Sequence, residues 1–272
     1  MRLEAHPRQF RAGLALLCAA LLAGCAIAKP RTDDPWEGFN RKMQTFNDAA
    51  DQAVIRPLAL TYRKVTTPGM RRLVDNFFAN IKLPISIVNS VLQGKPGAAA
   101  ENTARFAVNS TVGFVGLFDP ASEMNLRGEI TDFGVTLARW GVPEGPYLVL
   151  PLVGPTTPRD VWRLPVDNWF DPLGWYQREH DLAFHAEYLP NFFYLVTLRS
   201  RGLDAESLMQ GVYDPYIFYR DAYRQRRLYE IYNGEPPPDL IEQMQRQGTD
   251  EEDIDALLDE QRAYEKKHKS GE

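Results

Sequence analysis

The side chains able to do covalent chemistry are few and scattered. His180 and His185 lie five apart, about 140° around a helix. That places them poorly to share a metal, unlike the i, i+4 pair of a zincin, and they read as structural or surface histidines. Asp132, Asp160, Asp167 and Asp171 offer carboxylates of the kind that work in pairs as acid and base. Nothing in the sequence brings any two of them together, and Asp171-Pro172 reads equally well as turn chemistry. There is no G-x-S-x-G elbow, no phosphate-cradling glycine loop and no dinucleotide fingerprint. The two cysteines, Cys18 and Cys25, both stand near the start. That excludes a disulfide framework or a cysteine-rich zinc site in the body. No catalytic residue, metal or cofactor is assigned, and binding or transport is preferred to catalysis.

Cys25 is the exception, because its surroundings read as a modification site. Arg2, Arg8 and Arg11 precede the apolar run 12–23, which suits a signal peptide and is short of the roughly 20 residues of a spanning helix. The junction Leu22-Ala23-Gly24-Cys25 resembles the lipobox of bacterial lipoproteins. That resemblance implies cleavage before Cys25 and acylation of it. The alternative is an ordinary signal with a chance cysteine. Ala26 is not the aspartate that retains many such lipoproteins in the inner membrane, so the resemblance implies an anchor in the outer membrane, facing the periplasm. Several acyl chains on one cysteine hold a protein where a single chain would not.

The rest of the chain must position whatever the protein binds. It has 272 residues, 44% hydrophobic and 25% charged, a globular balance that excludes a disordered, collagen-like or polytopic chain. A net charge of −5 argues against nucleic acid as a partner. Asp34-Pro35 reads as a helix start, N-cap then N1. Trp36, Phe39, Met43, Phe46, Ala50 and Val54 then form one apolar stripe, until Arg56-Pro57 breaks or kinks the helix. A second helix begins near Pro68, with Met70, Leu73, Val74, Phe77, Phe78 and Ile81 on one face. Helix resumes over about 176–200. The last strong helix starts at Asp214-Pro215 and ends at Asn233-Gly234, with Arg220, Arg224, Arg226 and Arg227 set between its apolar positions.

Three uncharged runs interrupt this pattern, at 83–94, 106–118 and 145–158. Each is too short to span a bilayer. Buried core and interfacial or re-entrant contact with lipid are both open readings. Prolines at 143, 146, 151, 155, 158 and 165 forbid a long helix there, and Tyr147 to Leu150 fits a short strand or hairpin arm. Trp162, Trp169, Trp175 and Tyr176 suit a membrane–water interface or a core equally. Beyond Pro236-Pro237-Pro238, residues 249–260 hold seven acidic groups and no basic one, with a weak amphipathic pattern at Ile254, Leu257 and Leu258.

The stretch DPWEGFNRKMQTFND (Asp34 to Asp48) resembles the MlaA (VacJ) family of outer-membrane lipoproteins. The likeness continues in Ile55-Arg56-Pro57, Asn76-Phe77 with Asn80, Val88-Asn89, Leu92-Gln93-Gly94, Ala104-Arg105-Phe106 and Asn109. It is densest at Asp132-Phe133-Gly134, Leu137, WGVPEGPYLVLPLVGP (Trp140 to Pro155) and Arg159-Asp160, and it closes on Asp214-Pro215-Tyr216-Ile217 and 220–226. The resemblance implies an all-α, ring-shaped assembly with an amphipathic central channel, embedded in one membrane leaflet. It implies removal of mislocalised phospholipid from the outer leaflet and its transfer to a periplasmic carrier, with a trimeric porin as associate and no catalysis. A structural lipoprotein that scaffolds porins without moving lipid is the alternative. A lipid-modifying hydrolase is disfavoured by the missing nucleophile motif.

The chain accordingly divides into a signal peptide (1–24), an acylated tether (25–33), a helical domain (34–234) and a proline-rich, then acidic, tail (235–272). The tail would meet the carrier, by the resemblance. Gly141, Pro143, Gly145, Pro146, Tyr147, Leu150, Pro151 and Gly154 are expected in a mobile hairpin that lines or gates the channel. The other reading is a static packed loop. Asn76, Asn80, Asn89 and Asn109 are candidates to face a headgroup, with helix capping and buried hydrogen bonding as the alternative.

Overall fold

The computed structural model describes residues 34–242, apart from 180–183, 210 and 213. The signal run, Cys25, the tether, His180, the side chain of His185 and the acidic stretch of the tail lie outside the described residues. The chain opens as one long rod: α1 (Glu37–Ala50), a π-helical turn (Asp51–Ile55) and α2 (Arg56–Val65). The expected break at Arg56-Pro57 is absent. A proline ring clashes with the carbonyl four residues back in a regular helix, and the wider π turn just before it gives that carbonyl room.

Helix α3 (Pro68–Leu92) starts where the sequence places it, with the Thr67 side chain accepting from the Met70 N–H at 3.3 Å. It runs on through Pro84 and takes up most of the first uncharged run. Gly94 turns the chain at φ 69° into α4 (Pro96–Thr111), which packs back along α3. After the short α5 (Pro120–Glu123), α6 (Phe133–Arg139) is capped by the Asp132 carboxylate, which accepts from the Val135 N–H at 2.9 Å. Strands β1 (Leu148–Leu150) and β2 (Gly154–Thr156) form an antiparallel hairpin with Val149 opposite Pro155. Helices α7 (Arg163–Phe170), α8 (Pro172–Glu179), α9 (Phe184–Gly202) and α10 (Pro215–Ile231) complete the fold. The Asp214 N-cap is as expected, its carboxylate accepting from the Tyr216 and Ile217 N–H groups. Helix α9 lies against α2 and α3, and α10 against α6 and β2. No helix among the described residues is long and apolar enough to cross a membrane.

The polarity of this fold is turned inside out. On α1 the buried residue is Asn40, while Trp36, Phe46 and Val54 of the apolar stripe are exposed. Helix α10 buries Tyr216, Arg220, Tyr223 and Arg227, one face at i, i+4, i+7 and i+11, and exposes Phe218, Tyr219 and Tyr229. Arg220 is 1% exposed. The expectation that its arginines sit between core positions is therefore overturned for Arg220 and Arg227, because tyrosine hydroxyls and carboxylates inside the fold need donors more than they need apolar neighbours. Trp162, Trp169, Trp175 and Tyr176 all face outward. The packed apolar centre is small: Tyr147, Val149, Tyr216 and Tyr223, flanked by Met43 and Ile217.

Asp34 does not cap α1, which begins at Glu37 with no side-chain cap. The carboxylate turns inward, accepts from the Tyr216 hydroxyl and from Asn40 Nδ2 (3.3 Å), and lies 3.8 Å from Arg220. It serves as a buried partner for the last helix rather than as the start of the first. Burial raises its pKa.

Candidate functional site

Helices α3, α4 and α9 and the loops after α4 line a cavity of about 230 Å³. Three of the four expected asparagines line it, namely Asn76, Asn80 and Asn109. Around them stand Asp75, Lys82, Arg105, Asp119, Arg127 and Arg201. Most of these charges neutralise one another. Arg105 forks onto both oxygens of Asp119 at 3.0 and 3.1 Å and also donates to the Leu126 carbonyl. Lys82 donates to Asp171, and Arg201 lies 3.4 Å from Asp75. Burial would raise the Asp119 pKa, but hydrogen bonds from Ser122 and Asn109 and the Arg105 charge bring it below the usual value.

The asparagines do different work. Asn109 donates to Asp119 at 2.8 Å and accepts from the Ala121 N–H at 3.1 Å, so it fastens α5. Asn76 donates to the Leu117 carbonyl at 3.1 Å. Asn80 donates to Ser110 Oγ at 2.9 Å, and its buried Oδ1 has no protein partner. Asn89 lies away from the cavity. It donates to Ile85 O and Asp167 (3.0 Å each) and accepts from Thr136 Oγ1 at 2.7 Å.

The turn after α4 covers Asn80 in an unusual way. Phe114, Val115 and Gly116 all have left-handed φ values of 52°, 58° and 85°. Such backbone is costly for a β-branched residue, by about 1–3 kcal/mol. A Cβ on Gly116 would stand 2.5 Å from Asn80 Cβ, so only glycine allows the approach. The turn's apolar side chains point outward, with Phe114 70% exposed.

The hairpin is held by two asparagines that the sequence reading missed. Asn40 Nδ2 donates to the Tyr147 carbonyl and Asn40 Oδ1 accepts from the Val149 N–H, both at 2.9 Å. Two helical turns on, Asn47 Nδ2 donates to the Leu150 carbonyl (2.9 Å) and Asn47 Oδ1 accepts from the Leu152 N–H (2.7 Å). Side-chain amides thus stand where a third strand would be. In the sequence they show only as an i, i+7 asparagine pair on an amphipathic helix that also carries Glu37, Arg41, Lys42 and Asp48. Gly141, Gly145 and Gly154 supply left-handed turns, and Gly145 closes on the Pro158 ring. Pro143 lines a separate shallow pocket beside Trp162. At the tip, beside Pro151, Leu152 is 71% exposed.

Of the four aspartates that the sequence left apart, Asp132 and Asp160 meet on one arginine, while Asp167 and Asp171 keep separate partners. Arg227 donates through Nε to Asp160 (2.9 Å) and through Nη1 and Nη2 to both Asp132 oxygens (2.7 and 3.0 Å). Asp160 also accepts from Arg159 Nε (2.8 Å) and the Tyr223 hydroxyl (2.7 Å). Gly134 lets the chain pass, since a Cβ there would stand 2.6 Å from Arg227. Burial pushes the Asp160 carboxyl up, but Arg159, Arg227 and Tyr223 outweigh it and hold the pKa at about 2. Asp171 binds Lys82 and accepts from the Leu173 N–H at 3.1 Å, the turn role foreseen for it.

Asp167 behaves in the opposite way. It accepts from Asn89 and, at 3.1 Å, from the Phe133 N–H, and burial raises its pKa to about 6. A folded pKa above the unfolded value means that the folded state is favoured below about pH 4, an advantage lost as pH rises through about 6. Asp167→Asn keeps an acceptor oxygen and removes the charge. In a urea series at several pH values, the wild-type decline between pH 4 and 6 should flatten in this variant.

None of these groups makes a nucleophile with its base, and no His, Cys, Asp or Glu cluster of metal-binding size occurs among the described residues. The arrangement can hold a charged polar group inside an apolar shell. The MlaA lipoprotein family model matches residues 32–230. The chain is 33% identical to the intermembrane phospholipid transport system lipoprotein MlaA of Escherichia coli K12, with 88% of this chain and 96% of that protein aligned. It is 37% identical to an uncharacterized protein of Rickettsia felis, over 71% of this chain and 76% of that one. A chain solved in work on the structural basis for maintenance of bacterial outer membrane lipid asymmetry superposes with a TM-score of 0.63 at 33% identity, covering 73% of this chain and 98% of that chain. The sequence motifs, the helical fold with its outward apolar faces, and these alignments agree: the chain belongs to the MlaA lipoprotein family.

Proposed function

We propose that this protein is the outer-membrane lipoprotein of an intermembrane phospholipid transport system, which removes mislocalised phospholipid from the outer leaflet and so maintains lipid asymmetry. It is a transport protein, not an enzyme. The observation that carries the reading is the reversed polarity: a charged cavity and buried arginines inside, tryptophans and phenylalanines outside. In water, that many exposed apolar side chains would favour aggregation. In the hydrocarbon of a leaflet they are solvated, and the polar interior is the part that needs protection.

In finer terms, the helices form a ring within the periplasmic leaflet, and the cavity between α3 and α4 belongs to a channel through it. Asn76, Asn80 and Asn109 stand along the headgroup path, and the hairpin around Gly145 and Leu150 lines or gates it. Cys25 carries the acyl anchor. A periplasmic carrier receives the lipid, the tail after Gly234 is its docking segment, and a trimeric porin holds the ring in place. The family membership, the uncharged runs too short to span and the exposed hairpin tip support these assignments.

The test is outer-leaflet phospholipid in cells lacking the protein. Accumulation should appear, be cured by wild type and be cured poorly by Cys25→Ala. Normal outer-leaflet lipid with normal resistance to detergent plus chelator would move the assignment to a porin scaffold.

A further inference from the structure

We infer that one end of the helical domain is a second membrane anchor, separate from Cys25: the turn 112–118 and the α2–α3 corner beside it enter the hydrocarbon of an anionic phospholipid bilayer, and Lys64 and Arg72 bind its phosphates. The inference rests on the leaflet reading above and adds the surface that enters and the lipid class it prefers.

The two segments share one end of the α3–α4 pair. The Leu117 carbonyl accepts from Asn76, and Gly116 packs on Asn80. Arg72 stands four residues before Asn76, next on the same stripe of α3. Arg71 ties the corner by donating to the Thr66 carbonyl at 2.7 Å. What this end shows is apolar. Val65, Val112, Phe114 and Val115 are 67–70% exposed, with Met70 and Phe118 exposed beside them. No charged residue lies between Arg105 and Asp119.

The backbone of the turn is matched as hydrocarbon requires. The N–H groups of Val112, Gly113, Val115, Gly116, Leu117 and Phe118 all donate to carbonyls of the chain, at 2.8–3.3 Å. A loop in water can leave such groups to the solvent, whereas lipid offers them no partner. Left-handed φ at Phe114 and Val115 closes this set while both side chains stay outward. The charge points to an anionic surface. Asp75, Asp119 and Asp204, the carboxylates bonded into this end, are ion-paired with Arg201, Arg105 and Arg63. Lys64 and Arg72 are exposed and have no side-chain partner among the described residues. Long basic side chains beside an inserted apolar tip reach back to the phosphates.

The test uses the full acylated chain with a nitroxide on Val112→Cys, a site already exposed at the end of α4. It is reconstituted in vesicles of phosphatidylcholine and phosphatidylglycerol in equal parts. Collisions with oxygen and with a water-soluble nickel chelate report depth. The label should be open to oxygen and shielded from nickel. Lys64→Gln with Arg72→Gln should lower the ratio of inserted to surface-lying label about 25-fold, since each basic side chain near an anionic surface contributes about fivefold. Vesicles of phosphatidylcholine alone should bring the unsubstituted basic pair to the same level. Phe114→Ser, a change at an exposed side chain, should make the label shallower in both lipids. A label open to nickel in the anionic vesicles overturns the inference, and so does insertion equally deep without phosphatidylglycerol. Spin–spin broadening between labels would assign this end to a second copy instead, and shielding that needs added porin would assign it to a protein partner. Lipid removal is read separately, in cells lacking the protein, so a shallow label leaves the transport reading standing.

Discussion

Asp160→Ala should cost the fold about 3–5 kcal/mol, the scale for removing one partner of a buried ion pair. Asp160 is fully buried and gathers Arg159, Tyr223 and Arg227, and Arg227 in turn holds Asp132 at the start of α6. Without the carboxylate, buried Arg159 loses its ion-pair partner and buried Arg227 loses one of three. Urea melts of the purified protein in detergent read this directly. A loss below about 1 kcal/mol would mean that water reaches the cluster and screens it. Asp160→Asn should fall between, since it keeps one acceptor oxygen. The linkage to pH has a definite sign. The folded pKa of about 2 lies below the unfolded carboxylate value. The stabilisation is therefore complete above about pH 4 and is lost as pH falls through about 2. Asp167 works in the opposite sense and in the adjoining window, pH 4 to 6, so the two together should make stability peak near pH 4, and Asp167→Asn should leave the acid limb due to Asp160 exposed.

Asn40→Leu should have the second-largest effect, about 2–4 kcal/mol, because it strands two buried backbone groups at once. The side chain is 0% exposed and holds both the Tyr147 carbonyl and the Val149 N–H. Leucine has similar bulk, so the loss measures hydrogen bonding more than a cavity. Hydrogen exchange at the Val149 amide should speed up strongly, and the aromatic packing of Tyr147 on Tyr216 and Tyr223 should loosen with it. Asn47→Ala should cost less, about 1 kcal/mol, since its partners are at the half-open tip of the hairpin. Equal protection of Val149 in wild type and Asn40→Leu would mean that the hairpin is held by its tyrosines alone.

Helix positions were legible because hydrophobic periodicity and capping are local. The helices at Pro68 and at Asp214-Pro215 start as read. The facing of those helices was much less legible. Periodicity finds a stripe but does not say which solvent it meets: on α1 Asn40 is buried while Trp36 and Phe46 of the stripe are exposed, and α10 buries Arg220 and Arg227. Arg56-Pro57 was read as a break or a kink, and a π turn just before it lets the helix run on. In the candidate site, Asn76, Asn80 and Asn109 were found by resemblance and do share a cavity. Asn40 and Asn47 were missed because their partners are backbone atoms about a hundred residues away, which leave no trace in local pattern.

The first rod is fastened by the last third of the chain. Arg41 forks onto Asp214, Arg199 bridges Asp51 and Glu206, Arg56 also reaches Glu206, and Arg63 reaches Asp204. These pairs close loops of up to 173 residues. Folding of such a chain is slow to finish, because its long-range contacts come only after large loops have closed. A chain emerging N-terminus first cannot complete the clasp until Asp214 is free. The domain therefore stays open during most of its own delivery, and its polar interior is sealed only when nearly all of it has arrived.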